Sequence, residues 1–541
     1  MKNLLYYGDN LDVLRRHIDD EVADLVYLDP PFNSSQDYNV LFAEHDGTKA
    51  AAQIKAFGDT WKWDESAARA YQEVVESGGR VSEVLQAFRA YLDRTDMLAY
   101  LSMMAPRLIE LRRVMKPTAS IYLHCDATAS HYLKVVMDAT FGPENFRNEI
   151  IWQRTLAKGL QTRKLAQNHD VILVYQKSDQ AYFNLDSTFQ PYDEDDLSEK
   201  TAGKYASRDE DGRRFQLTSL LNPNTDRPNL KYEFLGVTRV WRWTQERMQA
   251  AYEAGFVIQT QPGTVPRFKR YLDEQRGMPL HDVWTDIPPI NARAKERLGY
   301  PTQKPVALLE RIVNISCPPG GVVLDPFCGC GTSISAGQRL DRPWIGIDIT
   351  HLAIGLIRSR LRGEFGEEIA KTYRVIGEPT TVEDAMELAH EDPYQFQWWA
   401  LGLVGARRDE EKKGADRGID GKLAFHDEGL AGKTKNVVIS VKAGKLHANH
   451  VRDLRGVIER DRAEIGVLIS MEEPTKPMRS EAANAGFYKS PYGTDHPRLQ
   501  FLTIHDLLHG KGIDYPAPRQ TNVTTKRARR HVKDDEARKL F

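Results

Sequence analysis

The sequence predicts a mixed α/β protein with two sheet-based domains, and three observations carry that expectation. Short continuous apolar runs at residues 24–28, 322–327 and 465–470 read as strands buried on both faces, as in parallel sheets. Between such runs lie helical patterns with apolar residues on one face and clear stop signals. The chain has 541 residues, more than one domain of ordinary size holds.

Composition sets the bounds. Hydrophobic residues make up 41% and charged residues 28%, the balance of a globular protein with a large core. No apolar run approaches the roughly 18–20 residues of a membrane span, and Met1-Lys2-Asn3 does not open a secretory signal. Cys125, Cys317, Cys328 and Cys330 form no paired CxxC pattern, so neither a disulfide framework nor a zinc ribbon is indicated, and a reducing cytoplasm is the expected compartment. A net charge of −2 excludes a chain that is basic throughout. Any nucleic-acid contact must come from local patches, such as the terminal run from Lys526 to Lys533, which reads as a basic tail with or without a partner.

Taken in order, residues 1–35 read as strand, helix, strand. Gly8-Asp9-Asn10 turns the chain with an acid, and Leu11, Val13, Leu14 and Ile18 mark one face of a short helix. The run at 24–28 then meets Asp29-Pro30-Pro31-Phe32-Asn33. The prolines fix φ and lack an N–H, so the strand stops at Asp29. The prolines make a stiff turn at the strand's carboxyl end, where open α/β sheets place their ligands. It offers a carboxylate, proline carbonyls that no neighbour is obliged to use, and an aromatic face. That equipment suits a flat heterocycle held by its amino edge, although the same turn also ends ordinary strands. Residues 33–63, rich in Gly, Asn, Asp and aromatics, read as a functional loop.

Leu98, Leu101, Ala105, Leu108, Leu111 and Met115 share one face of a helix expected over 91–116 and ended by Pro117. Residues 120–126, 149–152 and 170–175 read as strands, and 131–141 as a helix. His124 and Asp126 fall at a strand end, where a structural role is expected of both. Between 152 and 286 the pattern loosens, and Lys158, Arg163, Arg213, Arg214, Arg239 and Lys269 alternate with aromatics and amides. Such a mixture suits a surface that grips phosphate and probes base edges, and a solvated insertion shares it.

Pattern returns at Tyr300-Pro301-Thr302-Gln303-Lys304-Pro305 and a helix over 306–315. The strand at 322–327 then runs into Cys328-Gly329-Cys330-Gly331-Thr332-Ser333 and a helix to residue 340. The next strand, 344–348, ends in Asp348, about 20 residues after the glycine turn, the spacing of a βαβ nucleotide-binding unit. Glycines permit a tight turn and close approach, the helix N-terminus offers free N–H groups, and the later acid accepts ribose hydroxyls. One glycine pair replaces the three glycines of the dinucleotide fingerprint, and the loop has no phosphate-gripping lysine. A nucleoside without phosphates fits better than NAD or ATP. Cys328 and Cys330 read as small loop residues rather than metal ligands.

With both pieces in hand, residues 1 to about 360 resemble the amino-methylating DNA methyltransferases that use S-adenosylmethionine. Asp29-Pro30-Pro31-Phe32 is similar to their catalytic motif, and Asp325-Pro326-Phe327-Cys328-Gly329-Cys330-Gly331-Thr332 to their cofactor motif. The catalytic motif comes first, as in the permuted β class, where a target-recognition region lies between the two. The resemblance implies a Rossmann-like methyltransferase domain with a catalytic half over 1–151, a target-recognition insertion over 152–286 and a cofactor-binding half over 287–377. It implies catalytic roles for Asp29, Pro30, Pro31 and Phe32. Asp348 would hold the ribose hydroxyls and Asp9 the adenine, while Phe327, Gly329 and Gly331 would line the methionine end, with Thr302 and Lys304 nearby and Asp325 and Thr332 in the same motif. The implied chemistry is direct methyl transfer to a flipped base, without a metal or a covalent intermediate. Asp rather than Ser at position 29 favours adenine N6 over cytosine N4.

Residues 378–393, acidic and bounded by Pro379 and Pro393, read as a linker to a second domain over 394–515, with the basic tail over 516–541. Asp416-Arg417-Gly418-Ile419-Asp420 precedes a strand over 437–442 that ends in Lys442. An acid at a strand start and a strand ending in lysine can bind Mg²⁺ and orient an attacking water. The pattern resembles the Mrr-type branch of the restriction-endonuclease-like fold, including Val451-Arg452-Asp453-Leu454-Arg455-Gly456. That resemblance implies Asp420 as the Mg²⁺ ligand and Lys442 as the catalytic lysine, with Asp416 able to substitute in part for the metal contact missing at Ser440. Ser440 departs from it, because the fold usually carries Glu, Asp or Gln there, so cleavage and DNA gripping without cleavage both stay open. The whole reads as a DNA amino-methyltransferase joined to a nuclease-like α/β domain, acting on double-stranded DNA in restriction–modification or phage defence. A homodimer stays open, and no membrane is involved. Its rivals are a cytosine-N4 enzyme, a DNA-binding protein that keeps only the scaffold, and a protein or RNA amino-methyltransferase.

Overall fold

The computed structural model describes residues 3–31, 63–155, 165–193, 197–291, 294, 296–298, 300, 302–408, 419–425, 427, 434–491 and 493–516. The expectations for Phe32, the loop over 33–62, Lys158, Arg163, Asp416 and the terminal basic run fall outside these residues. Asn184–His281 form one compact unit, and the rest of the described chain forms another.

Among the described residues nine strands of the larger unit make one mixed sheet. In chain order they are β1 (Asn3–Tyr7), β2 (Ala23–Leu28), β3 (Met115–Cys125), β4 (Phe146–Gln153), β5 (His169–Gln176), β6 (Val283–Trp284), β7 (Val323–Asp325), β8 (Trp344–Asp348) and β9 (Tyr373–Ile376). In space they run β6-β4-β5-β3-β2-β7-β8-β1-β9. From β3 to β9 every pairing is parallel, whereas β5 is antiparallel to both β3 and β4. All six residues of β2 are buried, as a strand covered on both faces requires. Val26 and Leu28 belong to the same core as Leu101, Ala105 and Leu108, while Leu25 and Tyr27 join Leu309 and Ile312 on the other face, the period-2 alternation of a strand.

The register of β2 positions the site. β7 lies beside it in parallel, with Val323 opposite Leu25 and Leu324 opposite Val26. Their carboxyl ends therefore leave the sheet at the same edge, about 4.8 Å apart, the spacing of neighbouring strands. One end leads to Asp29-Pro30-Pro31 and the other to Asp325 and the glycine turn.

Among the described residues eight helices flank this sheet: α1 (Asn10–His17), α2 (Glu65–Ser77), α3 (Gly79–Leu92), α4 (Asp96–Val114), α5 (Ser130–Phe141), α6 (Val306–Ser316), α7 (Thr332–Arg339) and α8 (His351–Phe365). The single helix expected over 91–116 is not what forms. Asp93 takes φ +51° and closes α3, and Thr95 caps α4 by accepting from the Leu98 N–H. Pro106 sits inside α4, and Pro117 does not end it. Met115 already pairs with Ala23 as the first residue of β3, so sheet pairing stops the helix.

β5 lies inside the range expected for the insertion yet is a strand of the main sheet. The separate compact unit begins later, at Asn184. There Arg214–Ser219 and Arg267–Tyr271 pair antiparallel, and Phe234, Trp241, Met248 and Val257 share a small core. Arg213 is engaged within this unit, bonding Asp273 and Glu274 with its guanidinium 4.0 Å from the Tyr271 ring centroid.

The C-terminal part carries β10 (Arg407–Arg408), β11 (Gly421–Phe425), β12 (Lys435–Lys442), β13 (Ile465–Ser470) and β14 (Leu499–Thr503), ordered as numbered. β12, β13 and β14 are parallel, and β11 is antiparallel to β12. Its described helices are α9 (Val382–Glu391), α10 (Pro393–Leu403), α11 (Ala448–Arg460), α12 (Lys476–Ala483) and the short α13 (Ile504–Leu508). The segment read as a linker thus holds a helix. Thr381 and Asp384 form its capping box, and Ala385 is buried in the same core as Phe396 and Trp399. Two of the acids that looked like linker composition, Glu383 and Asp384, are first-turn acids.

Candidate functional site

The turn after β2 holds Asp29 with its carboxylate inward. Lys304 Nζ donates to Asp29 Oδ2 at 2.5 Å, and the two side chains are only 11% and 16% exposed. Lys304 ends the short segment that leads into α6, so the chain returns after 275 residues to supply this cation. The sequence puts Lys304 near the cofactor motif; in the structure it is the partner of the turn. Pro30 is buried and Pro31 half-buried beside it.

Beneath the turn runs a buried polar line. The Tyr27 hydroxyl and His124 Nδ1 lie 3.0 Å apart, and His124 Nε2 lies 3.1 Å from Asp170 Oδ2. His124 is fully buried, so its place is structural support of the strand ends. The hydrogen bond and charge of His124 hold Asp170 below the usual carboxylate range despite its burial, and Lys304 and Arg154 add to the effect.

The bend after β7 is held by its own acids. Asp325 accepts from the Phe327 N–H at 2.9 Å and from the Ser333 hydroxyl. Burial pushes its pKa up to about 7, against those two hydrogen bonds, and the charges of Asp29 and Asp348 add to the rise. Asp348, at the end of β8, accepts from Gly329 N–H at 2.9 Å, Thr350 N–H at 3.0 Å and Thr350 Oγ1 at 2.9 Å. Burial lifts it to about 6 against these bonds. Gly329 and Gly331 have φ +49° and +74°, a region that L side chains rarely adopt. A Cβ at Gly331 would lie 2.8 Å from Ile357 Cγ1, and one at Gly329 would lie 3.3 Å from the Tyr300 ring. Gly331 opens α7, and Thr332 is buried with Arg360 Nη1 donating to its hydroxyl at 3.1 Å. Phe327 is half-buried against the core, and Thr302 is half-buried two residues before Lys304. Cys328 and Cys330 are free thiols, buried, and burial pushes both thiols up.

Asp9 caps α1 through Oδ1, which accepts from Leu11 and Asp12 N–H, and Oδ2 accepts from Arg107 at 2.7 Å. Asn10 donates to the Pro326 carbonyl at 2.8 Å, tying the start of α1 to the glycine bend. Asp9, Asp29, Lys304, Asp325, Gly329, Gly331 and Asp348 thus gather at one sheet edge. Nothing in the sequence singled out Arg107, because an arginine on an amphipathic helix looks like a surface residue. Thr350 and Ser333 carried a weak local signal, hydroxyls two and eight residues beyond the acids they bond.

In the C-terminal part Asp420 precedes β11. Its Oδ1 accepts from Gln397 Nε2 at 2.5 Å, and its Oδ2 accepts from Val441 N–H at 2.6 Å and Ser440 Oγ at 3.1 Å. The Mg²⁺ expectation at Asp420 finds no support, because hydrogen-bond donors take both oxygens and the neighbouring strand presents Ser440 instead of a second acid. Among the described residues no three metal-ligating side chains cluster. Lys442 ends β12 as expected and lines a cavity with Lys445, His447 and His450.

Comparison with known proteins adds two family matches. Residues 23–358 match the DNA methylase family that groups N6 and N4 enzymes, and residues 394–509 match NACHT-associated inactive Restriction Endonuclease 1. The second match names the restriction-endonuclease fold but not the Mrr branch, and describes its family as inactive. The chain is 26% identical over 365 residues to the type II methyltransferase M.EcaI of Enterobacter cloacae, covering 66% of this chain and 69% of that one. It is 25% identical over 354 residues to the type III StyLTI Mod subunit of Salmonella typhimurium, covering 63% of this chain and half of the relative's length. Superposition on PvuII DNA methyltransferase, a cytosine-N4-specific enzyme, covers 66% of this chain and 85% of that one, with a TM-score of 0.31 at 12% identity, too distant to carry an argument.

Proposed function

The chain belongs to the DNA methylase family, and on that premise we propose that it transfers a methyl group from S-adenosylmethionine to an exocyclic amine of a base flipped out of double-stranded DNA, adenine N6 in preference to cytosine N4. The observation that carries this reading is the pairing of β2 with β7, which brings the acidic proline turn and the glycine bend out at one edge of the sheet. One methyl group can pass between two such neighbours.

The residues suit the cofactor. Gly329 and Gly331 let the bend turn tightly at φ +49° and +74° and present backbone rather than side chains, and no lysine there calls for phosphate. Asp348 would take the ribose hydroxyls and Asp9 the adenine, while Phe327, Gly329 and Gly331 would line the methionine end and Thr302 its approach. Asp325 and Thr332 act through the bend, bracing it with Ser333 and Arg360. S-adenosylmethionine supplies a methyl group activated by a sulfonium.

The chain's own part is positioning. Flipping a base costs a few kcal/mol, returned by contacts in the pocket, with Phe32 as the packing face. The Asp29 carboxylate accepts one N–H of the amine and the Pro30 carbonyl the other. Those bonds draw the nitrogen lone pair out of conjugation and aim it at the methyl group. Lys304 holds the Asp29 carboxylate fixed in direction, so no reorganisation is needed at the moment of transfer. Asp29 then takes the proton that the nitrogen sheds and passes it to water.

For residues 394–509 the reading is a nuclease-like domain that grips DNA and no longer cuts it. The bonded state of Asp420 and the presence of Ser440 support it. The Asn184–His281 unit is read as the part that recognises the target sequence. Single-molecule sequencing of DNA from cells expressing the chain tests the main reading, since it reports modified base and sequence context together. N6-methyladenine in one recurring context is expected, and unmodified DNA would refute it.

A further inference from the structure

We propose that the cavity at the end of β12 binds the phosphate of a nucleotide-sized ligand without a divalent metal. The inference rests on the reading of this domain as non-cutting. The cavity measures about 370 Å³, within the range of small-molecule sites. Lys442 at the end of β12 and Lys445 in the following turn supply its cations. His447 caps the 13-residue α11 and His450 lies in its first turn, so a helix N-terminus with its partial positive charge adjoins the cavity. Tyr394 and Gln397 of α10 line it as well.

The balance of charge decides which ligand fits. Among the described residues no ion pair occupies Lys442 or Lys445. The acids around it are already engaged: Asp420 holds three donors on its oxygens, Glu472 accepts from the Leu446 N–H, and the charge of Asp453 acts on His450. Burial and the charges of Lys442 and His447 keep His450 below its ordinary value, leaving a neutral imidazole that can hydrogen-bond a phosphate oxygen. A cation finds no acid in the lining of this cavity, whereas an anion finds two ammonium groups, two imidazoles and a helix start. Tyr394 offers a ring for a base, which points to a nucleotide rather than bare phosphate.

The phosphate could sit on a free nucleotide or on a phosphorylated DNA end. Binding to the full chain in EDTA would be measured with thymidine monophosphate, thymidine, and one short duplex bearing either a 5′-phosphate or a 5′-hydroxyl. We expect the phosphorylated member of at least one pair to bind about tenfold or more tightly than its counterpart. Preference within the nucleotide pair identifies a free nucleotide, and preference only within the duplex pair identifies a DNA end. Lys442→Ala and Lys445→Ala should each erase the difference while methyl transfer and melting temperature stay unchanged; Lys445 is exposed, so its variant serves if Lys442→Ala fails to fold. Equal binding within both pairs, variants that bind like the wild type, or a requirement for Mg²⁺ would overturn the proposal. Mg²⁺-dependent cutting lost in Asp420→Ala would instead overturn the non-cutting reading beneath it.

Discussion

Lys304 Nζ donates to Asp29 Oδ2 at 2.5 Å, across 275 residues of chain. The pair joins the segment before α6 to the turn after β2, at the edge where β7 also ends. With both side chains largely buried, it is screened less than a surface ion pair, and its geometry holds the carboxylate in one direction.

Removing the cation should therefore disable the turn without dismantling the fold. Lys304→Met is expected to lower kcat for methyl transfer about 10²-fold, in line with the loss of one preorganised charged donor. KM for DNA should change less, and Lys304→Arg should recover part of the rate. Steady-state methyl transfer with a melting curve on each variant checks this.

Gly331→Ala places a Cβ 2.8 Å from Ile357 Cγ1 at a φ of +74°. The left-handed conformation alone costs roughly 1–2 kcal/mol for a non-glycine residue, and the contact adds to it. Denaturant unfolding should show a loss of at least that size, and equilibrium dialysis should show weaker binding of S-adenosylmethionine.

The buried acids give stability a definite dependence on pH. Asp325 and Asp348 titrate near 7 and 6 in the folded chain, against an ordinary value of 3.8, so the folded chain holds more protons than the unfolded one between those limits. Their contribution to stability is full below about pH 4 and is lost as pH rises through 6 to 7. Without cofactor, the melting temperature should fall between pH 5 and pH 8. The fall should be smaller in Asp325→Asn, whatever that variant's absolute stability, and differential scanning calorimetry at the two pH values measures it.

Asp420 is bonded as a structural acid. Plasmid DNA with Mg²⁺ or Mn²⁺ should stay supercoiled with the wild-type chain. Asp420→Ala strands Gln397, Ser440 and the Val441 N–H, and should cost about 1–3 kcal/mol in unfolding free energy.

Legibility in the sequence tracked the range of the forces involved. The strands at 344–348 and 465–470 form over those very residues, because unbroken apolar runs can only be buried on both sides. The two motif turns were readable because proline and glycine act locally on φ. The Asp29–Lys304 pair was not, since it depends on which strand lies beside which. The break between α3 and α4 escaped because it rests on Asp93, a non-glycine residue at positive φ. α9 was hidden by its own caps, whose acids and threonines have the composition of a linker. Asp420 was readable as an acid at a strand start, but its hydrogen-bond partners come from α10 and β12, which no local pattern connects.

The central claim is that the acidic turn and the glycine bend work on one amine. Nucleoside mass spectrometry of duplex DNA, after incubation with S-adenosylmethionine and either the wild-type chain or Asp29→Ala, tests it most directly. The account predicts N6-methyladenine from the wild type and none from the folded variant. No methylated adenine from the wild type, or equal amounts from both, would contradict it.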